Sequence, residues 1–153
     1  MASMTDQNRT NAILQALFTS STSFTITPGT GGGSAFVITP PYNLRLMTTQ
    51  GSNTTNGTEA TSGNCPGYTQ YGNSLGATFC AAPSAGTQSN SNVVTWTASG
   101  SWSTIPSIEI WDHSTAPGLR WLQGALTASV TGVTTSDGVQ FSAGAVTLNA
   151  SAW

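Results

Sequence analysis

Charge is what this chain has least of. Only 5% of its 153 residues are Asp, Glu, Lys or Arg, against about a quarter in an ordinary soluble domain. Lysine is absent, and the basic residues are Arg9, Arg45 and Arg120. That inventory argues against nucleic acid as a partner, because binding through phosphates commonly uses about 6–10 contacts. Long apolar runs are missing too. No stretch approaches the roughly 18–20 apolar residues that span a bilayer as a helix, so no membrane partner is expected. The N-terminal Met1-Ala2-Ser3-Met4-Thr5-Asp6 has no basic region leading into an apolar run. No secretory signal is therefore expected, and assembly in a cytoplasm is.

Cysteine and histidine are almost as scarce. Cys65 and Cys80 could close a hairpin loop worth about 3 kcal/mol in the chain-entropy model; free thiols are the ordinary state in a reducing cytoplasm, and both readings stay open. Two cysteines and a lone His113 do not supply four zinc ligands at a familiar spacing, and calcium would need more clustered oxygens. No cofactor or metal is expected. Asp112-His113-Ser114 has the residue types of a hydrolase triad, but consecutive strand side chains face opposite ways, and Asp112 reads better as a turn former. Glu109 and Asp112 could suggest a glycosidase pair, yet both read as strand-surface or turn residues. Gly31-Gly32-Gly33 lacks the lysine of a phosphate-binding loop. The expectation is a non-catalytic protein. The four Asn-x-Ser/Thr sequons, at Asn8, Asn53, Asn56 and Asn149, read as accidents of a Ser- and Thr-rich composition.

What remains is polar, uncharged and strand-forming. The length suits one domain, 1–153, large enough to bury about 70% of its unfolded surface. A short N-terminal helix is predicted over 5–18, with Asp6 as cap and Ile13/Leu17 and Leu14/Phe18 as i, i+4 pairs on one stripe. Beyond it the period becomes two. Strands are predicted around Phe24-Thr25-Ile26-Thr27, Phe36-Val37-Ile38-Thr39, Leu44 and Leu46, Val93-Val94-Thr95-Trp96, Ile108-Glu109-Ile110-Trp111, Leu119-Arg120-Trp121-Leu122, Ala125-Leu126-Thr127, Val139-Gln140-Phe141 and Ala145-Val146-Thr147-Leu148. Turns fall at Ala116-Pro117-Gly118, Ser136-Asp137-Gly138 and Ala143-Gly144. Residues 50–74 read as a long loop, functional or poorly ordered, into which Tyr68 and Tyr71 could bring packing. Short strands at this spacing predict a mainly β fold, an antiparallel β-sandwich or jelly-roll-like domain.

Five tryptophans could form sugar-stacking platforms or fill a core. Trp96, Trp111 and Trp121 lie in apolar segments and read as core; Trp153 could anchor the terminus or meet a partner. Ile13, Leu14, Leu17 and Phe18 of the helix stripe, with Trp153, are the candidate interface residues.

The C-terminal third resembles a known pattern. It is carried by Ile108-Glu109-Ile110-Trp111-Asp112, by Gly124-Ala125-Leu126-Thr127, and by the hairpin around Ser136-Asp137-Gly138-Val139-Gln140-Phe141-Ser142-Ala143-Gly144. These are similar to small β-sandwich virion proteins of tailed bacteriophages, especially of actinobacterial hosts, known as head decoration, minor tail or tail-fibre proteins. The likeness covers about 107–149 well. It departs from the pattern where Asp137-Gly138 reverses a Gly-Asp order, and it transfers no catalytic residue. The resemblance implies a structural virion protein, first a capsid decoration protein binding the major capsid protein and copies of itself, as a trimer, on the capsid surface. A minor tail or fibre-base protein is the alternative, and a carbohydrate-binding module using exposed tryptophans and the long loop is a further one.

Overall fold

Alternation of apolar and polar residues is visible in several strands of this chain, Val94–Thr97 among them. The computed structural model describes residues 24–26, 36–38, 42–70, 72–74, 87–112, 118 and 120–149. These contain β1 (Phe24–Ile26), β2 (Phe36–Ile38), β3 (Asn43–Thr49), β4 (Thr58–Glu59), β5 (Asn73–Ser74), β6 (Thr87–Ser89), β7 (Val94–Thr97), β8 (Ile105–Trp111), β9 (Arg120–Val130), β10 (Gly138–Phe141) and β11 (Thr147–Asn149). The N-terminal helix expected over 5–18 lies outside the described residues.

Pairing is antiparallel throughout. A five-stranded sheet runs β4-β3-β8-β9, with β5 also on β3, while β1/β2, β7/β10 and β6/β11 form two-stranded sheets. The fold is mainly antiparallel β, as expected. Two predicted segments, at Leu119-Arg120-Trp121-Leu122 and Ala125-Leu126-Thr127, merge into the single strand β9. Gly124 lies inside it, opposite Ile108 in the ladder.

Directly opposed residues in an antiparallel ladder share a face. Leu44 opposes Ile110, which opposes Leu122, and Leu46 opposes Ile108. This apolar face joins Val94 and Trp96 of β7, Val139 and Phe141 of β10, and Val146 and Leu148 in one hydrophobic cluster. Strand β7 buries Val94 and Trp96 and exposes Thr95 and Thr97, the half-buried alternation read from the sequence. Trp96 stacks on Tyr68 at 5.9 Å between centroids and meets Phe141 edge-on at 6.2 Å.

The 50–74 segment carries two short strands and sends Ala60, Cys65 and Tyr68 into the core. Cys65 is a buried free thiol, and burial raises its pKa. The segment is sewn to 98–103: the Ser99 and Ser103 N–H groups donate to Pro66 O and Asn64 O, and Trp102 Nε1 donates to Pro66 O at 2.8 Å. Gly67 has φ +89°, and a Cβ there would collide with Thr97 O. Only glycine permits both the conformation and the approach.

A second hub is Asn90, buried between β6 and β7. Its amide donates to Asn92 O and Ser142 O while its Oδ1 accepts from Val146 N–H. One side chain thus ties the β10–β11 connection to the β6–β7 connection.

Leu46→Ala is expected to destabilise the fold by about 2–5 kcal/mol, the range for a Leu removed from a packed core. Val93→Ala, at 54% exposure, should stay within about 0.5 kcal/mol. Urea denaturation of the two variants checks the contrast.

Candidate functional site

Asn43 and Arg45 alternate with Leu44 and Leu46 along β3 and so lie on its other face. Every residue from 43 to 47 is buried, so both faces of β3 are covered. Glu109, expected on a strand surface, is likewise 1% exposed. The physical reason is pairing, since a charge is tolerated inside a protein when its partners are inside too.

On this second face Arg45 opposes Glu109, Glu109 opposes Gln123, and Trp111 opposes Arg120. The last pairing depends on a bulge. Between Ile110/Leu122 and Trp111/Arg120 the register shifts, and Trp121 is the extra residue. Strict alternation would put Arg120 on the apolar face with Leu122; the bulge turns it to the polar face, a common use of such irregularities.

Arg120 then reaches Glu109, Nη1 to Oε1 at 3.0 Å. Glu109 Oε1 also accepts the Gly57 N–H at 2.8 Å, and its Oε2 accepts Trp111 Nε1–H at 3.0 Å. Arg120 continues into the loop, donating to Thr55 O at 2.8 Å and Ser52 O at 2.5 Å. Two side chains therefore hold the backbone of 51–57 against the sheet. Gln123 adds a side-chain contact, Nε2 to Asn53 Oδ1 at 3.3 Å, while 52–56 are all exposed.

A second pair lies alongside. Arg45 Nη1 is 3.4 Å from Glu59 Oε2, and its guanidinium sits 4.2 Å from the Trp111 ring centroid. The Tyr68 hydroxyl donates to Glu59 Oε1 at 2.8 Å and accepts Leu46 N–H at 3.2 Å. That bond, with Ala60 N–H to Leu46 O at 2.8 Å, fills the edge of β3 between β4 and β5. Burial first, then the negative Glu59, raises the Tyr68 pKa above the ordinary phenol range. At the opposite end of the chain, Asp137 accepts the Thr134 N–H and hydroxyl, which hold its carboxyl below the usual range.

The candidate residues distribute unevenly. Ile13, Leu14, Leu17, Phe18, Trp153, His113 and Cys80 lie outside the described residues. Asp112 is buried. Trp96, Trp102 and Trp111 are buried and Trp121 is half-buried, so the exposed stacking platforms of the glycan reading are not found among them. Among the described residues no group of three or more His, Cys, Asp or Glu could hold a metal. What the arrangement does chemically is bind its own chain: the oxygens of Glu109 and Glu59 are engaged by backbone, arginine, tyrosine and tryptophan donors.

Strand order and network together define an antiparallel β protein whose buried charges serve architecture. The family model described as Podophage GP4 fiber I protein gp80 matches residues 10–149. The chain belongs to that family, and membership supports a structural protein of a phage particle. No curated protein matches it.

Two measurements follow. Glu109→Ala leaves the half-buried Arg120 guanidinium and the Gly57 N–H without their carboxylate, a change expected to cost somewhat less than the ~3–5 kcal/mol typical of breaking a fully buried pair. A loss of about 2–3 kcal/mol by urea denaturation, with faster proteolysis within 51–57, is expected. Because the folded state disfavours the Tyr68 phenolate, that stabilising contribution is intact below the unfolded pKa of about 10 and is lost as pH rises through the folded value. Tyr68→Phe should be less stable at neutral pH, since Leu46 N–H loses its acceptor, but should lose less further stability above about pH 10 than the wild type.

Proposed function

We propose that the protein is a non-catalytic structural subunit of a podophage tail-fibre apparatus. The observation that carries this reading is the family match across residues 10–149, whose description speaks of a fibre protein. Of the two virion placements weighed from the sequence, head decoration and fibre base, that description supports the second. Its partners are copies of itself and neighbouring virion proteins. The sandwich arrangement belongs to the same reading, supported by the single core that the five-stranded sheet shares with β7/β10 and β11.

The composition fits attachment through apolar and hydrogen-bonding surface. With 5% charged residues, and half of those charges paired within the sheet, few remain to be screened, so attachment should respond weakly to ionic strength.

Gold-labelled antibody against the protein, imaged on purified particles and combined with copy number by quantitative mass spectrometry, tests the placement. Label at the tail and a low copy number are expected. Label spread over the head at high copy number would replace this placement with decoration of the capsid.

A further inference from the structure

Packing fixes the identity of residue 57. A Cβ on Gly57 would collide with Thr49 O and lie 3.0 Å from Gly51 N, so the fold admits only glycine there. No such contact constrains the residue before it. Asn56 is exposed, and Asn56-Gly57 is the one Asn-Gly pair in the chain. In such a pair the backbone nitrogen can attack the preceding side-chain amide, and glycine, having no Cβ, hinders that ring closure least. The reaction joins Gly57 N to Asn56 Cγ. The N–H proton leaves with the side-chain nitrogen as ammonia, and a succinimide remains. Water then opens the ring at either carbonyl. One opening gives aspartate; the other gives isoaspartate, whose main chain runs through Cβ and Cγ and is longer by one atom.

In the folded chain the attacking nitrogen is already engaged. Its N–H donates to Glu109 Oε1 at 2.8 Å. The imide nitrogen carries no proton, so ring closure and that hydrogen bond exclude each other. The flanking backbone is pinned as well: Thr55 O accepts from Arg120 Nη1 at 2.8 Å, and Thr58 N–H donates to Thr49 Oγ1 at 3.0 Å. Attack therefore requires the loop to open locally first. We propose that Asn56 is a site of spontaneous deamidation whose rate is set by the hold of Glu109 and Arg120 on the 51–57 loop, and that the isoaspartate product releases that hold.

Release follows from the same bonds. The extra main-chain atom falls between Thr55 and Gly57, both of which are held, so one or other anchor must yield. The new carboxylate also adds a negative charge beside a residue that is bound to the Glu109 carboxylate, and like charges repel. The two effects reinforce each other. While the ion pair stands, the amide is protected; once the loop opens and the ring closes, the loop does not return to its original hold. A packing demand for glycine thus creates the labile pair, and the buried carboxylate that meets its N–H guards it. None of this rests on the fibre placement, and each can fail alone.

Peptide mapping by mass spectrometry after incubation at mildly alkaline pH measures conversion at Asn56, and an isoaspartate methyltransferase assay identifies the product. Folded wild type should convert at least about tenfold more slowly than the same chain in urea, a factor that needs only about 1.4 kcal/mol of local opening. Glu109→Met and Arg120→Met should each speed conversion by about tenfold. Val139→Ala, a core change on β10, should leave the rate unchanged. Converted wild type, separated by its added charge on an ion-exchange column, should be cut faster within 51–57 than the unconverted protein. Equal rates in folded and urea-unfolded wild type, Met variants that convert no faster than Val139→Ala, or equal cleavage of converted and unconverted protein overturns the proposal. Should the Met variants fail to fold, the comparison with urea and the cleavage comparison decide.

Discussion

The Glu109–Arg120 ion pair is the interaction on which the rest of this structure turns. Half of the chain's charged residues, Arg45, Glu59, Glu109 and Arg120, gather on one face of the five-stranded sheet and pair there. A one-residue slip between β3 and β8 would move Arg45 and Glu109 into the apolar cluster and bring Leu44 and Ile110 out of it. Aliphatic residues alone would penalise such a slip modestly, since one buried Leu resembles another. Buried charges penalise it heavily, because each would lose its partner inside the protein. The pairs therefore act mainly on specificity of register, and through Arg120 they extend that specificity to the 51–57 loop.

This explains how so polar and Gly-rich a segment as 50–74 is held in place. It is fixed at one end by Glu109 and Arg120, in the middle by Tyr68 and the Trp102 indole, and at the far end by β5 against β3. None of these anchors requires the loop tip to bury apolar surface, so 52–56 stay exposed while their backbone is held. The same economy of charge leaves the outer surfaces dominated by hydroxyls, amides and small side chains.

Much of this fold is legible in the sequence. Alternation located the longer strands, and the aliphatic face of β3 and β8 was readable as Leu44, Leu46 and Ile110. The burial of the polar face is not legible in the same way, because alternation reports polarity and says nothing of whether a partner charge waits across the ladder; Arg45 meets Glu59 only once 58–59 folds back as β4. The 120–122 segment did hold a clue. Arg120 and Leu122 share a face in any regular strand, and that conflict is what a bulge resolves. The two-residue strands β4 and β5 have no periodicity to detect, and β6, with Thr87, Gln88 and Ser89, lacks an apolar residue altogether. The ties made by Asn90 and Trp102 join residues far apart in the chain and depend on tertiary structure alone.

The central claim is that Glu109 and Arg120 act as one unit that sets register and loop position. A double-mutant cycle with Glu109→Met, Arg120→Met and the combined variant measures this directly by equilibrium denaturation. Each single change leaves one charge, buried Glu109 or half-buried Arg120, without its ion-pair partner, whereas the double change leaves neither. The account predicts that the double variant recovers much of the stability lost in either single, with a coupling energy of about 1–3 kcal/mol. Strictly additive losses would show that the two residues contribute independently and would contradict it.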